Sequence, residues 1–477
     1  MDKTPNFALT SLQKYDLPVE QSNRQEKFLQ LRRDFPVFTF EEYEFSFGEH
    51  GLDIWFHFNL AGQHQFYPTI FIPRKSFFLP EEQFFSHLPL LVFNLGLIEL
   101  ISYWKAACSP LLVIKPHFLE PEQITWWKKT WFRGLGEFFY LNGIIIGPDE
   151  FMQVDVASDR KLMPVLMSFV PETIIPVGGG KDSVVTMELA GKRPGTVPMI
   201  LNPRGASVHS IFTAGYTHSG MFGIHRTLDP LLLQLNDMGF LNGHTPFSAL
   251  LAFLSILASV ITGKKYIALS NESSANEPTI PRLGVNHQYS KTVEFESDFR
   301  AYTAQFISPE IEYFSFLRPL NEIQIAALFS QYPRYFPVFK SCNAGSKTDS
   351  WCGTCPKCLF TYIMLAPFLN PETLQTIFQK EMFQDAGLVP VFEKLVGLSE
   401  EKPFDCVGTV AENRAAVAEL LARSEGLQLP LLLKHFSTQE TLHAAPRGQL
   451  PDFLGAWDPH HFLPPDFETI LKGAIDA

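Results

Sequence analysis

The chain has 477 residues, of which 50 are acidic and 38 are basic, so its formal net charge is −12. Charged residues form 18% of the chain and hydrophobic residues 46%, which excludes a disordered or fibrous protein. The acidic balance argues against a general nucleic-acid-binding protein, because phosphate contacts need a surplus of Lys and Arg. The length corresponds to roughly two to four domains.

The first third of the chain predicts an α+β domain that is rich in aromatic residues. Between residues 35 and 80, short aromatic runs alternate with polar residues, which predicts an antiparallel sheet. The stretches 90–107 and 121–140 that follow predict helices. We assign residues 1–165 to this domain.

Strands and helices alternate from about residue 170 onward. The strand candidates are residues 173–177, 197–201, 266–269 and 312–316, and the helical candidates are residues 205–216, 229–238 and 247–262. This alternation predicts a mostly parallel sheet that is covered by helices on both faces. We therefore predict an α/β domain over residues 166–370, followed by a helical C-terminal region over residues 371–477.

Two segments bear on the location of the protein in the cell. The apolar segment 247–263 is interpreted as a buried helix, because it is short for a membrane span and contains three Ser and one Thr. The start of the chain, residues 1–27, is polar and lacks the apolar stretch of a signal peptide. We therefore expect a cytoplasmic protein with no membrane partner.

The segment PVGGGKDSVV, residues 176–185, predicts a phosphate-binding loop. A strand ends, Gly178, Gly179 and Gly180 let the backbone turn, and a helix begins near Asp182. Such a turn presents free backbone N–H groups and the positive end of the helix dipole to an anion. The spacing fits neither the Walker A loop nor GxGxxG. The alternative is an ordinary glycine turn with a helix cap.

Four of the six cysteines fall within one short, polar stretch, and they are Cys342, Cys352, Cys355 and Cys358. The last three have the tight spacing that wraps a metal ion. We predict a closed, structural Zn²⁺ site, with an iron–sulfur cluster as the alternative. Six cysteines in a chain of this length are too few for a disulfide scaffold, and in the cytoplasm clustered thiols bind metal more often than they form disulfides.

Polar segments between the phosphate loop and the cysteines carry candidate substrate and catalytic groups. The segment SNE follows the strand candidate 266–269, and open α/β sheets bind ligands at the carboxyl ends of their strands. Glu272, His287 and Lys291 are candidate catalytic groups, although each could instead brace a loop. Arg318 could pair with a carboxylate or a phosphate. The candidate substrate-binding residues are Asn242, His244, Asn271 and Arg318.

The run GGGKDS resembles the SGGxDS loop of the N-type ATP pyrophosphatases (the PP-loop superfamily), with Gly178 in place of the usual first Ser. The resemblance implies that the loop holds the pyrophosphate part of ATP and that the substrate is adenylated. The residues it assigns to ATP are Gly178, Gly179, Gly180, Lys181, Asp182 and Ser183. Ser183 would donate its hydroxyl, Asp182 would help to place Mg²⁺ or cap the helix, and Lys181 would neutralise charge or be solvated. A similar late cysteine cluster occurs in 7-cyano-7-deazaguanine synthase of the same superfamily.

The order of motifs over about residues 170–420 resembles the UDP-N-acetyl-muramoyl-L-alanyl-L-glutamate epimerases of bacterial peptidoglycan synthesis, the MurL family. The elements that carry the resemblance are residues 178–183, 242–246, 270–275, 285–291, 313–319, 341–343, 351–358, 365–368, 402–408 and 413–416. The resemblance implies an ATP-dependent inversion of the terminal L-Glu of UDP-MurNAc-L-Ala-L-Glu to D-Glu, with release of AMP and diphosphate. The small-molecule partner would then be this UDP-MurNAc-dipeptide, and the N-terminal sheet would help to bind it.

Such an inversion is chemically reasonable, because an α-proton beside a carboxylate anion is scarcely acidic. Adenylation removes the negative charge, so that a side-chain base can take the proton. Cys406, one of only two cysteines outside the cluster, is a candidate for this proton transfer, and its alternative is a small buried hydrophobic residue. Cys108 lies in an apolar run, which predicts that it is buried.

Two other functions remain as alternatives. The central domain could adenylate a nucleobase or a tRNA, as its thiolating and deazaguanine-forming relatives do, although the acidic balance disfavours tRNA. The chain could also be a non-enzymatic, zinc-stabilised regulator that binds a nucleotide. The regulator would release no pyrophosphate with any substrate.

Overall fold

The structure is a computed structural model that describes residues 19–399, 401–438 and 449–476. Much of the polar start of the chain, on which the prediction about a signal peptide rests, lies outside the described residues. Two compact units are present. Unit 1 contains the described residues up to Val170 together with Gly223–Lys265 and Pro281–Glu312. Unit 2 contains Pro171–Phe222, Tyr266–Ile280 and the described residues from Tyr313 onward.

The units are built from interleaved parts of the chain. Two segments that follow the phosphate loop in the sequence, Gly223–Lys265 and Pro281–Glu312, belong to unit 1. Composition records where a chain changes character, but it does not record which part of a sheet a later segment joins. The three consecutive domains divided at residues 165 and 370 therefore remain a prediction.

Strands occur in both units. They are β1 (Val37–Phe47), β2 (Gly51–Leu60), β3 (His64–Phe66), β4 (Thr69–Pro73), β5 (Leu111–Ile114), β6 (Gln153–Val156), β7 (Val170–Pro176), β8 (Val197–Leu201), β9 (Phe222–Thr227), β10 (Lys264–Leu269) and β11 (Glu312–Ser315). The four predicted central strands are confirmed as β7, β8, β10 and β11 within a few residues at each end. The short strands β5, β6 and β9 were not predicted, because four to six residues without a hairpin turn give little periodic signal.

The described residues also form α-helices in both units. They are α1 (Val19–Asp34), α2 (Leu88–Glu99), α3 (Ile101–Trp104), α4 (Pro121–Gly134), α5 (Gly136–Leu141), α6 (Lys181–Leu189), α7 (Gly205–Thr213), α8 (Pro230–Asp237), α9 (Phe247–Thr262), α10 (Val293–Tyr302), α11 (Glu322–Ser330), α12 (Pro356–Leu365), α13 (Pro371–Phe378), α14 (Val389–Leu395), α15 (Val410–Arg423), α16 (Leu431–Ser437), α17 (Gln449–Leu454) and α18 (Pro465–Ile475). The predicted helix over 121–140 is interrupted at Leu135, which two glycines flank. The helical C-terminal region is confirmed by α13 to α18.

Unit 1 contains a mixed sheet with the strand order β9-β4-β2-β1-β5-β6, and β3 pairs with β2. The predicted antiparallel sheet is confirmed, since β1, β2, β3 and β4 pair antiparallel. Alternate residues of β2, including Ile54, Phe56 and Phe58, are fully buried, as expected for a strand with one covered face. Gly96 allows α2 to lie close to this face, because a Cβ atom there would lie 2.3 Å from the Phe40 ring.

Two apolar helical stretches lie inside unit 1. The stretch Phe85–Trp104 is long and apolar enough to cross a membrane by length and composition, but 78% of its apolar window is buried in the protein. Helix α9, the most apolar segment of the sequence, is buried over nearly all of its length. Its interpretation as a buried helix is therefore confirmed, and the burial of both stretches is typical of core helices.

Unit 2 contains the strand order β11-β10-β7-β8, with β7 and β8 parallel. Helices α6, α11 and α12 and the C-terminal helices bury their apolar side chains in one continuous core with these strands. The chain is thus a mixed α/β protein with a helical C-terminal region. The connection from β7 to α6 carries the predicted phosphate loop.

Candidate functional site

The phosphate loop, residues 178–183, connects β7 to α6 in unit 2. Helix α6 begins directly after Gly180, its N-cap, so the first N–H groups of the helix face the loop. Gly179 has φ +86°, and a Cβ atom there would lie 2.7 Å from the Ser207 amide nitrogen. The Gly179 N–H donates to Ser183 Oγ (3.2 Å), which donates to the Gly180 carbonyl (2.9 Å). The segment therefore forms the strand–turn–helix connection expected of an anion-binding loop.

Lys181 is turned into the protein and is only 3% exposed, so the alternative that its side chain is solvated is wrong. Its ammonium group donates to Glu322 and, at 2.5 Å, to Asp182. Burial by itself would lower the pKa of Lys181, but the charges of Asp182 and Glu322 outweigh it and raise the pKa. The lysine therefore carries a fixed positive charge between two carboxylates.

An acidic cluster, defined as Asp182, Glu272, Glu322 and Glu412, surrounds this lysine. Carboxylate oxygens of Asp182, Glu272 and Glu322 lie within 4.8 Å of one another. Glu412 is buried and accepts a hydrogen bond from the backbone N–H of Glu322 (2.7 Å). Burial, reinforced by the neighbouring carboxylates, raises the pKa of Glu322 well above its ordinary value. Such crowding favours a further positive charge at this place.

Arg318 and Asn271 brace the segment that carries Glu272. Arg318 is fully buried and donates to the backbone carbonyl of Glu272. Asn271 Nδ2 donates to Ser315 Oγ at 3.0 Å, and Arg318 reaches the same hydroxyl at 3.4 Å. The structure thus brings the predicted residues Glu272, Asn271 and Arg318 together with the phosphate loop. Lys181 and Arg318 are two cations beside four carboxylates, which leaves an excess of negative charge when all of them are ionised.

A second cluster lies in unit 1 and consists of Glu137, His244 and His287, hereafter the Glu–His–His cluster. His287 Nδ1 hydrogen-bonds Glu137 Oε2, and His244 Nδ1 lies 3.5 Å from the same oxygen. The two imidazole rings are 4.6 Å apart between centroids. Burial, together with the nearby His287, lowers the pKa of His244 to about 4. The structure therefore brings both predicted histidines to one carboxylate, Glu137, that was not predicted.

The loop that carries His244 is held by three contacts of its backbone. Lys105 Nζ donates to the Gly243 carbonyl, and Asn142 Nδ2 donates to the Asn242 carbonyl at 3.0 Å. The Asn242 side chain is exposed and its Oδ1 accepts from the Gly243 N–H at 2.8 Å. Lys291 is half-buried and is the last residue of a 3-10 turn. Its backbone N–H donates to the Gln288 carbonyl at 2.7 Å. The roles of Asn242 and Lys291 remain predictions.

The four clustered cysteines converge in unit 2. Their sulfur atoms are 3.8 Å apart for Cys342–Cys355, 3.7 Å for Cys352–Cys358 and 3.4 Å for Cys355–Cys358. Four sulfurs at 2.3 Å from a tetrahedral ion would be about 3.8 Å apart. The hydrogen bond with Cys358 lowers the pKa of Cys355 to about 5, and the Gly345 N–H donates to Cys342 Sγ at 3.1 Å. This cysteine cluster could therefore hold a metal ion.

The two remaining cysteines have different surroundings. Cys108 is fully buried, as predicted, and burial raises the pKa of its thiol. Cys406 is half-buried in the loop 402–408. Lys402 holds this loop through a hydrogen bond to the Gly408 carbonyl (2.6 Å), and its Nζ lies 3.4 Å from Glu277. The loop therefore has a defined conformation, while the catalytic role of Cys406 remains a prediction.

Three acidic residues of these clusters were missed in the sequence. Glu137 interrupts the apolar run GLGEFFY, and a lone carboxylate in an apolar helix is a signal of a buried polar contact. Glu412 forms a capping box with Thr409, which the pattern TVAE indicates. Glu322 begins α11 after a capping Asn, and nothing in its local sequence indicates its contact with Lys181.

These features define a mixed α/β protein with a glycine-rich strand–turn–helix connection and a four-cysteine cluster that could hold a metal ion. The chain matches the MurL N-terminal domain over residues 30–316 and the MurL C-terminal domain over residues 338–448. Similar curated proteins are each named UDP-N-acetyl-alpha-D-muramoyl-L-alanyl-L-glutamate epimerase. No solved structure matches the chain.

Three of these relatives cover most of the chain. The protein from Xanthomonas oryzae pv. oryzae is 32% identical over 78% of this chain and 83% of its own length. The protein from Salinispora tropica is 33% identical over 84% of this chain and 88% of its own length. The protein from Micromonospora sp. is 31% identical over 93% of this chain and 99% of its own length. The chain therefore belongs to the MurL family of epimerases and is an enzyme. The alternative of a non-enzymatic regulator is accordingly wrong.

Proposed function

We propose that the chain inverts the terminal L-Glu of UDP-MurNAc-L-Ala-L-Glu to D-Glu in an ATP-dependent reaction that releases AMP and diphosphate. The names of the three relatives support the substrate and the inversion. The observation that carries the dependence on ATP is the phosphate loop, in which a glycine-rich turn leads directly into α6 beside the acidic cluster. The sheet of unit 2 would then be of the ATP-pyrophosphatase type, and the enzyme would work in the cytoplasm.

ATP and Mg²⁺ fit the residues that are present. The backbone N–H groups at the start of α6 would hold the phosphate groups, with Gly179 permitting the tight turn. Asp182, Glu272 and Glu322 would hold Mg²⁺, since carboxylate oxygens are the ligands that this ion prefers. When it is bound, Mg²⁺ neutralises negative charge on the phosphate groups. Lys181 would position the carboxylates by its contacts with two of them.

The reaction requires that the substrate carboxylate lose its charge before the α-proton is removed. Attack of that carboxylate on the α-phosphorus of ATP forms an acyl-adenylate and releases diphosphate. A side-chain base then removes the α-proton, a proton returns to the opposite face, and hydrolysis releases AMP. Positioned acid and base groups contribute typically about 10²–10⁴-fold to such transfers. The candidates for them are Cys406, Glu272, His287 and Lys291.

The cysteine cluster would hold a structural Zn²⁺ ion. Its sulfur separations agree with a tetrahedral site, and Cys358 lies in α12, inside the core of unit 2. All four thiols would be metal ligands, so none of them would transfer a proton. The N-terminal part of unit 1 would contribute to binding of the UDP-sugar.

The proposed function is tested by incubating the full chain with ATP, Mg²⁺ and UDP-MurNAc-L-Ala-L-Glu, followed by chiral analysis of glutamate and assay of pyrophosphate. We expect D-Glu and pyrophosphate to form together, and neither to form when ATP is omitted. Asp182→Asn should lower both rates at least about tenfold, whereas Asp237→Asn, at an exposed position of α8, should leave them unchanged. Pyrophosphate without inversion would indicate another acceptor, such as a nucleobase, and inversion without ATP would refute the adenylation step.

The role of Cys406 is tested by following uptake of solvent deuterium at the glutamate α-carbon. Cys406→Ala should abolish inversion, and it should abolish exchange if the thiol removes the α-proton. Pyrophosphate release should persist, because adenylation precedes proton transfer. Full exchange in the variant would assign the α-proton to another residue.

A further inference from the structure

The Glu–His–His cluster of unit 1 has a donor set that the phosphate loop and the cysteine cluster lack. It offers one carboxylate oxygen and two imidazole nitrogens, and these ligand atoms lie within 4.8 Å of one another. The side chains of Glu137, His287 and His244 are 11%, 15% and 24% exposed. The cluster is therefore mostly buried but still partly accessible to solvent.

Each member of the cluster comes from a different element. Glu137 lies in the first turn of α5, next to the buried side chains of Phe138 and Phe139. His244 lies in the loop before α9, and His287 in the loop before a 3-10 turn. A carboxylate among buried aromatic residues is costly unless cationic or hydrogen-bonding groups surround it. The two imidazoles meet this requirement by approaching the same oxygen of Glu137.

The positions of these side chains are set by packing and hydrogen bonds around them. The loop of His244 is tied to the rest of unit 1 by Lys105 and Asn142, which donate to its backbone carbonyls. A Cβ atom at Gly243 would lie 3.1 Å from the Phe138 ring, so the loop packs closely on α5. Side chains held in this way keep their positions when no ion is bound. Less free energy is then needed to order them when an ion binds.

We propose that Glu137, His244 and His287 bind one divalent transition-metal ion, with Zn²⁺ as the best match. Two imidazoles and one carboxylate are a donor set that proteins use for Zn²⁺ and other first-row ions. Three protein ligands leave a coordination position free for water or for an oxygen of a carboxylate or phosphate. The partial exposure of His244 gives such a ligand a path to the ion.

The proposed ion is chemically separable from the two metal ions proposed above for the cysteine cluster and the acidic cluster. The cysteine cluster binds through sulfur, the acidic cluster offers only oxygen, and the Glu–His–His cluster combines nitrogen with oxygen. Cobalt(II) reports on this difference, because thiolate ligands give it intense charge-transfer absorption that imidazole and carboxylate do not. The inference requires neither ATP nor turnover.

The test uses the full chain, loaded with Co²⁺ under anaerobic conditions, passed through gel filtration and analysed for metal by mass spectrometry. We expect the double variant His244→Gln/His287→Gln to bind one ion fewer per chain than the wild type, with the thiolate absorption unchanged. Glu137→Gln, which preserves the shape of the side chain, should weaken Zn²⁺ binding at this position at least tenfold. His225→Gln, at an exposed position of unit 1, should bind the wild-type number of ions.

Circular dichroism reports whether the variants are folded, because the substitutions lie in unit 1 and the thiolate absorption reports only on the cysteine cluster of unit 2. A double variant that keeps both this absorption and the wild-type number of ions would overturn the proposal. A wild type whose retained ions all disappear with Cys355→Ser, while circular dichroism shows a folded chain, would overturn it as well. In either event the three residues would be a hydrogen-bonded Glu–His pair with a neighbouring imidazole.

Discussion

The cysteine cluster of unit 2 and the Glu–His–His cluster of unit 1 are assembled in different ways. The four cysteines lie between Cys342 and Cys358, so short turns suffice to bring their sulfurs together. Glu137 and His287 are 150 residues apart along the chain and meet only because α5 and two loops pack in one unit. A cluster of the first kind can be recognised from spacing, whereas the second kind depends on the fold.

The same contrast recurs within unit 2 itself. The phosphate loop is one continuous segment, and its glycine-rich turn and the start of the following helix were both predicted from the sequence. The ion pair of Lys181 with Glu322 joins residues that are 141 positions apart, and it was not predicted. Four experiments test how far local and distant assembly differ in their contribution to stability and function.

The largest effect is expected for the local cysteine cluster. Cys355→Ser should remove one bound metal ion and lower the free energy of unfolding by more than about 4 kcal/mol, a range typical of the loss of a structural metal. Denaturant unfolding together with metal analysis measures both quantities. The control Cys406→Ser, outside the cluster, should retain the metal and cost less than about 1 kcal/mol. A Cys355→Ser protein with unchanged metal content and stability would contradict the zinc assignment.

The distant contact between Lys181 and the acidic cluster should rank second. Lys181→Met leaves buried carboxylates without their cation, which costs about 3 kcal/mol at neutral pH. The unpaired carboxylates would then bind protons more tightly in the folded variant than in the unfolded chain, so the deficit should shrink as the pH falls from 7 to about 4, where they become protonated in both states. Denaturant unfolding at pH 4 and pH 7 measures this change. Lys161→Met, at an exposed ion pair with Glu120, should have no measurable effect.

The burial of Lys105, whose ammonium group donates to the loop of His244, predicts that stability depends on alkaline pH. Burial, assisted by the charge of Arg226, lowers the pKa of Lys105 from 10.5 to about 8. Between these two values the unfolded chain binds the proton more tightly, so folding becomes more favourable as the pH rises. The stability of the wild type relative to Lys105→Met should therefore increase by about 2–3 kcal/mol from pH 8 to pH 10.5.

The control for this experiment is Lys129, whose pKa is raised because Asp298 and Glu294 outweigh the effect of its burial. Relative to Lys129→Met, the wild type should lose stability at the upper end of the same pH range. Equal dependences of stability on pH for the two lysines, measured by urea unfolding, would show that burial does not lower the pKa of Lys105.

The smallest effect is expected within the phosphate loop, where two neighbouring glycines differ. In Gly179→Ala the alanine would have to adopt a positive φ, and its Cβ atom would lie 2.7 Å from the backbone of Ser207. The substitution should therefore lower the free energy of unfolding by about 1–2 kcal/mol and slow pyrophosphate release. At Gly178 the space that a Cβ atom would occupy is open, so Gly178→Ser should leave stability unchanged. Thermal unfolding and the pyrophosphate assay separate the two. Equal losses in both variants would contradict the loop geometry.

Much of the fold could be predicted because its signals are local. The aromatic alternation before residue 80 predicted an antiparallel sheet, which β1 to β4 form, and the apolar run 247–262 predicted α9 with its bounds. The strands β5 and β6 were missed, because they pair in parallel with a strand far away in the sequence and no turn links them to it. The same limitation applied to Glu137, whose two histidine partners lie in other segments.

The sequence by itself determined the mixed α/β class, the strand–turn–helix loop and the cysteine cluster. Each of these depends on residues within a few turns of chain, where glycine conformation, helix capping and thiol spacing act directly. Only the tertiary structure decided that Lys181 is buried between carboxylates and that two histidines contact Glu137. These contacts join residues more than 100 positions apart, and burial in a packed core, which no local pattern encodes, sets their distances and their charges.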